Sequence, residues 1–203
     1  MKRISFQFDT AYTSDFDSLI VPVLADGQLP QACAFLDSDA ELTNLVKNLN
    51  DSADFTGASG KTLMVMQPSS VPVKRLLLVG FGKAEKITAK SYLEAVKSAA
   101  VALENTGAVK TLNACVLVKP ADRNSDWAVR HNAQLFQQNC YDYAHASRGK
   151  HPTKEPKLGS MAFTVEATPT ATFAAHVLRS GDTRRAVAMR GHDLVANVYE
   201  DRS

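Results

Sequence analysis

The stretch from Val73 to Lys83 reads V-K-R-L-L-L-V-G-F-G-K, and it decides the fold of this chain. Its apolar run, Leu76 to Val79, passes without a polar interruption into Gly80, Phe81 and Gly82. A short continuous apolar run that ends in glycine predicts a strand buried on both faces, as in a parallel sheet covered by helices. The glycines predict a sharp turn after the strand, because glycine reaches backbone angles closed to other residues.

An amphipathic helix is predicted directly after that turn. Thr88 is a good N-cap residue, and Ile87 and Tyr92 stand at the two positions that pack together in a hydrophobic staple. Apolar residues at helical spacing continue to Gly107, which predicts the end of the helix. Strand, turn and helix together predict a βα unit at the centre of an α/β domain.

The remaining pattern places further strands and helices around this unit. Strands are expected at 4–8, 19–24, 62–66, 112–118 and 161–165. One helix is expected at 40–49, with Asp37 or Ser38 as its cap, and another at 127–143, with Ser125 or Asp126 as its cap. From Ala171 onward the apolar phase predicts one long helix, with Gly181 as the site of a bend.

The composition is that of an ordinary soluble globular protein, with 203 residues of which 45% are hydrophobic and 22% charged. A net charge of +2 gives no argument from composition for strong binding to nucleic acid or membrane. No apolar segment is long enough for a signal-peptide core or a membrane span, which predicts a cytoplasmic protein. The three cysteines, Cys33, Cys115 and Cys140, are widely spaced, so buried reduced thiols are favoured over disulfides or a metal cluster.

Two glycine-containing stretches suggest phosphate binding, and each has a simpler interpretation. Residues 57–62 end like a Walker A loop, but Phe55 stands where that motif needs glycine and a strand is expected from Thr62, so a polar turn is favoured. The segment Gly80-Phe81-Gly82 begins like a dinucleotide fingerprint, but Glu85 occupies the position of the third glycine. A fold-determining turn is therefore favoured there, with Lys83 beside it as a candidate anion contact.

A basic loop at 147–157 is the remaining charged feature, and the arginines of the predicted last helix add positive charge. Its candidate phosphate contacts for DNA are Arg148, Lys150, Lys154 and Lys157. The five histidines do not supply the closely arranged ligands of a zinc site, and no serine or cysteine has the context of a catalytic nucleophile. From the residues alone we therefore predict no catalytic residue and no metal ligand.

The ordered series of segments resembles the amino-terminal domain of the leucyl aminopeptidases, also called cytosol aminopeptidases. In that family a strand that ends in V/I-G-x-G-K precedes a helix, as residues 79–83 and 88–107 do here, and the helix closes much like L-E-N-T-G at 103–107. Residues 126–130 are similar to the start of the family's next helix, and residues 161–165 to the strand that closes the domain. The resemblance covers most of the chain from about Phe55 onward.

The resemblance implies an α/β fold with three layers, in which a mixed sheet lies between helices as in the macro domains that bind ADP-ribose. It also implies a macro-like domain at 1–166 and a long linker helix at 167–203 leading to a catalytic domain. The family's two divalent metals, zinc or manganese, are held in that catalytic domain, whose N-T-D-A-E-G-R signature is absent from these 203 residues. For this chain the resemblance thus implies a domain with no catalytic activity and no cofactor of its own.

The family's assembly implies the partners of such a domain. These are the catalytic domain of the same protein and further copies in a hexamer, with DNA as an additional partner in some bacterial members. The expected role is architectural, in assembly and in access to the active site. A DNA-binding accessory domain and a macro-like nucleotide-binding module are the alternatives, and no membrane partner is expected.

The predicted closing helix carries a long apolar face. Among its members are Val187, Gly191, Leu194, Val195 and Val198. At about 25 cal/mol per Å2, leaving several such side chains in water forfeits a few kcal/mol. We therefore expect residues after about Ala171 to take part in symmetric self-association.

Overall fold

The computed structural model describes residues 4–9, 15–37, 40–104, 106–139 and 157–164. Its strands form one six-stranded mixed sheet with the order β1-β6-β5-β2-β4-β3. The strands are β1 (Ser5–Asp9), β2 (Ser18–Leu24), β3 (Thr62–Met66), β4 (Arg75–Gly82), β5 (Lys110–Asn113) and β6 (Ser160–Thr164). Neighbouring strands are parallel except β3, which runs antiparallel to β4.

Helices cover both faces of the sheet, so the domain has three layers. The helix α1 (Glu41–Asp51) lies on one face, and α2 (Ala89–Glu104) and α3 (Ser125–Asn139) lie on the other. Along β4, Leu77 and Val79 belong to the core under α2 and α3, whereas Leu76 and Leu78 belong to the core under α1. The predicted fold class and the predicted burial of this run on both faces are therefore confirmed.

The predicted linker helix at 167–203, on which the predicted domain boundary depends, lies entirely outside the described residues. The boundary at 166 stays a prediction. In the described part of the chain, no helix combines the length and the apolar character needed to cross a bilayer.

The predicted turn at the glycines of β4 is wrong in its position, because the strand continues through both of them. Val23 of β2 pairs with Gly80 and Leu24 pairs with Gly82, so the register shifts by one residue and β4 contains a bulge. Gly82 has a φ of +75°, a conformation that glycine adopts without strain. The chain leaves the sheet at Lys83, and a short 3₁₀ turn, Ala84–Lys86, separates β4 from α2.

The start of α2 agrees with the prediction. The hydroxyl of Thr88 accepts a hydrogen bond from the Ser91 N–H at 3.2 Å, and the Ser91 hydroxyl accepts one from the Thr88 N–H at 2.9 Å. This reciprocal pair is a capping box in which serine takes the usual place of glutamate. Ile87 and Tyr92 both join the core beneath α2, as the staple predicts.

Because of side-chain hydrogen bonds, one strand ends earlier than predicted and one helix has a different cap residue. The strand expected at 112–118 ends at Asn113, because the Asn113 side-chain oxygen accepts the Cys115 N–H at 2.9 Å and turns the chain into the 3₁₀ turn Cys115–Leu117. The cap of α3 is Asn124, and neither Ser125 nor Asp126 fills that role, since the Trp127 N–H donates to the Asn124 side chain at 2.9 Å.

The N-cap residue of α1 is Ala40, and the side chain of Asp37, one of the two predicted cap residues, caps the helix from three positions earlier. The Asp37 carboxylate accepts the N–H groups of Leu42 at 2.8 Å and Thr43 at 2.9 Å. Ala40, expected inside the helix, instead precedes it with a φ of +57°. A left-handed residue at this point lets the chain double back, so that Asp37 reaches the first turn.

Candidate functional site

The candidate site lies where β4 leaves the sheet, and residues 57–61, which we call the strap, cross the strand there. The Gly80 N–H donates to the Lys61 carbonyl at 2.8 Å, and the Gly80 carbonyl accepts the Gly60 N–H at 2.9 Å. The Gly82 N–H donates to the Gly57 carbonyl at 2.9 Å. The strap is therefore fixed to the strand by backbone hydrogen bonds on both sides of Phe81.

Close backbone approach explains the glycines at this end of the sheet. A Cβ at Gly80 would lie 2.1 Å from the Ala58 carbonyl oxygen, and a Cβ at Gly57 would lie 2.0 Å from the Leu24 carbonyl oxygen. Both distances are far inside van der Waals contact and involve backbone atoms that cannot rotate away. The fold therefore requires glycine at these two positions, whatever ligand the site binds.

The same hydrogen bonds limit what this edge can offer an anion. The N–H groups of Gly80 and Gly82 already donate to carbonyls of the strap, so a phosphate bound there would have to displace it. Lys83 follows the junction and is exposed, as are Lys61 in the strap and Lys86 in the next turn. The exposed Glu85 between Lys83 and Lys86 would repel an anion. The arrangement is a closed backbone junction with exposed lysine side chains near it in sequence.

The structure on either side of the strap distinguishes the Walker A interpretation of residues 57–62 from the polar-turn interpretation. Thr62 begins β3 and no helix follows it, as the polar-turn interpretation predicts. Phe55 is buried in the core under α1, where the Walker A motif would need a flexible glycine. Among the residues that the structure describes, no helix begins at this loop to hold a phosphate.

Two of the predicted site residues, Lys83 of the anion contact and Lys157 of the DNA contacts, lie at opposite edges of the sheet. Lys83 follows β4 and lies at the carboxyl edge of the parallel strands, whereas Lys157 is exposed just before β6 and lies at their amino edge. The other predicted DNA contacts and interface residues lie outside the described residues. These are Arg148, Lys150, Lys154, Val187, Gly191, Leu194, Val195 and Val198.

A closed network of buried polar side chains, missed by sequence reasoning, joins α2, α3 and β5. The Asn132 side-chain nitrogen donates to the Tyr92 hydroxyl at 2.7 Å, and that hydroxyl donates to the Cys115 carbonyl at 3.1 Å. The Asn113 amide donates to the Asn132 side-chain oxygen at 3.2 Å. Tyr92, Asn113 and Asn132 are all fully buried.

Burial governs the protonation of this network. It raises the pKa of the Tyr92 hydroxyl well above its ordinary value, the nearby Cys115 raises it further, and the hydrogen bond from Asn132 lowers it. The phenol therefore stays protonated and serves as a hydrogen-bond donor, with no acid–base role at neutral pH. One sequence signal could have found the network, because Asn132 interrupts the apolar face formed by Ala128 and Phe136 at four-residue spacing.

An aromatic series runs from the end of β4 toward the surface. The ring centroids of Phe81 and Tyr92 lie 5.5 Å apart, those of Tyr92 and Trp127 5.4 Å, and those of Trp127 and His131 4.4 Å. The Arg123 guanidinium lies 5.7 Å from the Trp127 ring. His131 also contacts the Trp127 carbonyl through Nδ1 at 2.8 Å. These contacts lock the starts of α2 and α3 to β4.

The described residues do not provide a metal centre. Within the ranges that the structure describes, no three histidine, cysteine, aspartate or glutamate side chains are placed to hold a metal ion. These described residues therefore do not fit a two-metal centre, which the resemblance assigns to a separate catalytic domain. A crevice between α2, α3 and Leu158 has a volume of about 10 Å3, which is room for one water molecule and too small for a nucleotide.

Comparison with protein families and curated sequences gives one consistent result. Residues 20–150 match the model of the cytosol aminopeptidase family, N-terminal domain. A probable cytosol aminopeptidase of Hydrogenovibrio crunogenus is 43% identical over 169 residues, which are 83% of this chain and 34% of that protein. The chain spans about a third of the length of the curated relatives it matches.

Solved structures share the fold at low sequence identity. A tomato leucine aminopeptidase mutant superposes with a TM-score of 0.63 and 18% identity, covering 89% of this chain and 36% of the tomato chain. A Trypanosoma brucei macrodomain in complex with ADP superposes with a TM-score of 0.56 and 11% identity, covering 87% of this chain and 69% of that one. At these identities the likeness concerns the fold alone.

Proposed function

Because the chain belongs to the cytosol aminopeptidase family, whose amino-terminal domain it matches, we propose that it is the non-catalytic amino-terminal domain of a bacterial leucyl aminopeptidase. In the complete cytoplasmic enzyme, a separate catalytic domain with two divalent metals, zinc or manganese, removes amino-terminal residues from peptides. The domain described here acts in assembly. Its partners are that catalytic domain and further copies of the same protein in a homo-oligomer.

One observation carries this proposal. The family match runs from residue 20 to residue 150 and so includes most of β2 and the whole of α1, β3, β4, α2, β5 and α3. The geometry supports an architectural role, because the polar groups that could have formed a site are used internally. The N–H groups of Gly80 and Gly82 bind the strap, and Tyr92, Asn113 and Asn132 bind one another or nearby backbone.

An aminopeptidase assay tests the absence of catalysis. The purified 203-residue chain is incubated with leucine p-nitroanilide and added manganese or zinc, and a buffer with metal alone gives the background rate. We expect no turnover above that background, because the described donor set does not hold a metal. Metal-dependent turnover by the chain would contradict the proposal. Sequencing of the gene beyond the codon for Ser203 tests the domain assignment, since the proposal expects the metal-binding signature downstream.

A nucleotide-binding role is a second candidate, supported by the likeness to a macrodomain that was solved in complex with ADP. The glycine junction argues against it, because its N–H groups are occupied. Calorimetric titration with ADP-ribose tests it, with Lys83→Ala as the control for the predicted anion contact. Heat release that is lost in K83A would establish a nucleotide site, and a flat titration would remove this candidate.

DNA binding is a third candidate, supported by the basic loop and by the exposure of Lys157. Phosphate contacts predict an affinity that falls steeply as the salt concentration rises. A gel shift titrated with salt tests it, with charge reversal at Arg148, Lys150 and Lys154 as the variant. No shift even at low ionic strength would remove this candidate.

A further inference from the structure

The outer edge of β3 has backbone groups that no described strand uses. β3 pairs with β4 on one side, and among the described residues it has no strand neighbour on the other. The Gly80 N–H binds the Lys61 carbonyl and the Gln67 N–H binds the Lys74 carbonyl, so hydrogen-bonded pairs fall at the odd-numbered residues of this strand. Because such pairs alternate, the N–H and C=O groups of Thr62, Met64 and Met66 point toward the outer edge.

This edge lacks the features that usually prevent strands from pairing between molecules. Natural edge strands are commonly protected by charged side chains, proline or bulges. The sequence of β3 is Thr-Leu-Met-Val-Met, with no charge and no proline, and its register with β4 is unbroken. Met66 is 59% exposed, and the other four residues are half-buried.

The helix beside the edge adds an apolar side chain. Both α2 and β3 run opposite to β4, since α2 returns from the carboxyl edge of the sheet and β3 is antiparallel to β4. Gly60 precedes β3, and a Cβ placed there would lie 3.9 Å from the Ser98 hydroxyl. Val101 follows Ser98 by three residues on the same side of the helix and is 44% exposed.

We propose that β3 pairs antiparallel with β3 of a second copy of this chain, across a two-fold axis at Met64. Met64 would face its own symmetry mate, and Thr62 of one copy would face Met66 of the other, with two hydrogen bonds in each pair. The uncharged strand introduces no like-charge contact across the axis, so the pairing is self-complementary. The inference rests on the assembly role proposed above, to which it assigns a surface.

Amide hydrogen exchange of the full chain, followed by NMR across a concentration series, tests this contact together with sedimentation equilibrium. The N–H groups of Thr62, Met64 and Met66 should exchange rapidly in the dilute monomer and become protected as the dimer forms. Those of Leu63 and Val65, which bind β4, should stay protected throughout and so report an intact fold.

Met66→Pro is the blocking variant, because it removes an outward N–H that β4 does not use. We expect its dimer to be weaker by about tenfold or more, since the hydrogen bond is lost at both ends of the symmetric pair. Met66→Thr is the matched control, because it removes the same exposed methionine but keeps the N–H. It should weaken the dimer much less.

Three outcomes would overturn the inference. A chain that stays monomeric at the highest concentration would refute this contact and leave the assembly of the complete protein to surfaces outside this chain. A dimer in which the outward N–H groups still exchange rapidly would refute the β3 contact alone and point to another surface, such as the residues after Ala171. Protection already present in the dilute monomer would mean that another segment of the same chain covers the edge.

Discussion

At the scale of single residues, the glycines of this domain differ in what they do, although the sequence shows them alike. Gly80 has no positive φ but has no room for a side chain, because the Ala58 carbonyl would lie 2.1 Å from its Cβ. Gly60 has a φ of +77° but has open space, with the Ser98 hydroxyl 3.9 Å away. One glycine is required by close packing of backbone, and the other by its backbone angle.

This difference predicts unequal effects of the same substitution. Gly80→Ala should lower the free energy of unfolding by about 2–4 kcal/mol, because the strap must move away from β4 and lose its hydrogen bonds. Gly60→Ala, the matched control, should lower it by about 1–2 kcal/mol, the cost of a left-handed alanine. Urea unfolding followed by circular dichroism measures both. A loss in Gly60→Ala that equals or exceeds the loss in Gly80→Ala would contradict this account of the strap.

At the scale of elements, the network of Tyr92, Asn113 and Asn132 holds two helices and a strand in one arrangement. Each polar atom in it has a partner, including the second Asn132 hydrogen, which binds the Ala128 carbonyl at 2.8 Å. A fully satisfied buried network favours one packing of its elements over others, because any shift leaves a polar group unpaired. The position of α3 against α2 is therefore set by hydrogen bonds as well as by apolar contact.

Tyr92→Phe tests the network with little change of shape. The substitution leaves one Asn132 N–H buried without a partner and removes one of the two hydrogen bonds that the Cys115 carbonyl accepts, the other coming from the Val118 N–H. The free energy of unfolding should therefore fall by about 1–3 kcal/mol. Ser98→Ala is the control, since it removes from the same helix a hydroxyl that binds the Glu94 carbonyl on the exposed side, and it should change stability by less than about 0.5 kcal/mol. Equal effects of the two substitutions in chemical denaturation would mean that the buried network adds nothing.

Elements could be predicted from the sequence where the signal is local, and they were misplaced where a tertiary contact decides. The run Leu76 to Val79 predicts β4 correctly, because burial on both faces is visible as an unbroken apolar pattern. The predicted end of β5 is wrong, because the Asn113 side chain accepts the Cys115 N–H and turns the chain there. The apolar pattern in the sequence gives no sign of this turn, since it continues to Val118. The network partners of Asn132 lie far away in sequence, and a pattern in one segment cannot specify them.

At the scale of the whole molecule, the fold and family could be predicted, but the candidate site could not. The order of segments around V-G-F-G-K was sufficient for the fold, since each segment carries its own periodicity. The anion site suggested by Gly80 and Lys83 depended on whether the glycine N–H groups are free. These N–H groups are occupied by carbonyls of the strap, which is separated from β4 in sequence by the whole of β3.

A buried thiol in the core under α1 also predicts how the stability of the whole molecule depends on pH. Cys33 is fully buried in the core under α1, and burial raises the pKa of its thiol from 9.0 to about 12. In the unfolded chain the thiol ionises near pH 9, whereas in the folded protein it stays neutral. The contribution of the neutral Cys33 thiol to the free energy of unfolding is thus fully present below pH 9. It is lost as the pH rises toward 12, because the thiol of the unfolded chain releases its proton at a lower pH than the thiol of the folded protein.

Cys33→Ala tests this dependence through the slope of the free energy of unfolding against pH. A lost titrating group changes this slope, whereas a lost packing contact lowers the free energy by the same amount at every pH. Between pH 9.5 and 11 the free energy of unfolding of the wild type should fall more steeply than that of the variant, by up to about 1.4 kcal/mol per pH unit. Val46→Ala, in the same core, is the control, because it creates a cavity without removing a titrating group. It should lower stability by a constant amount and keep the wild-type slope. Urea unfolding at several pH values measures all three proteins, and parallel lines for wild type and Cys33→Ala would show that the thiol does not stay neutral in the folded core.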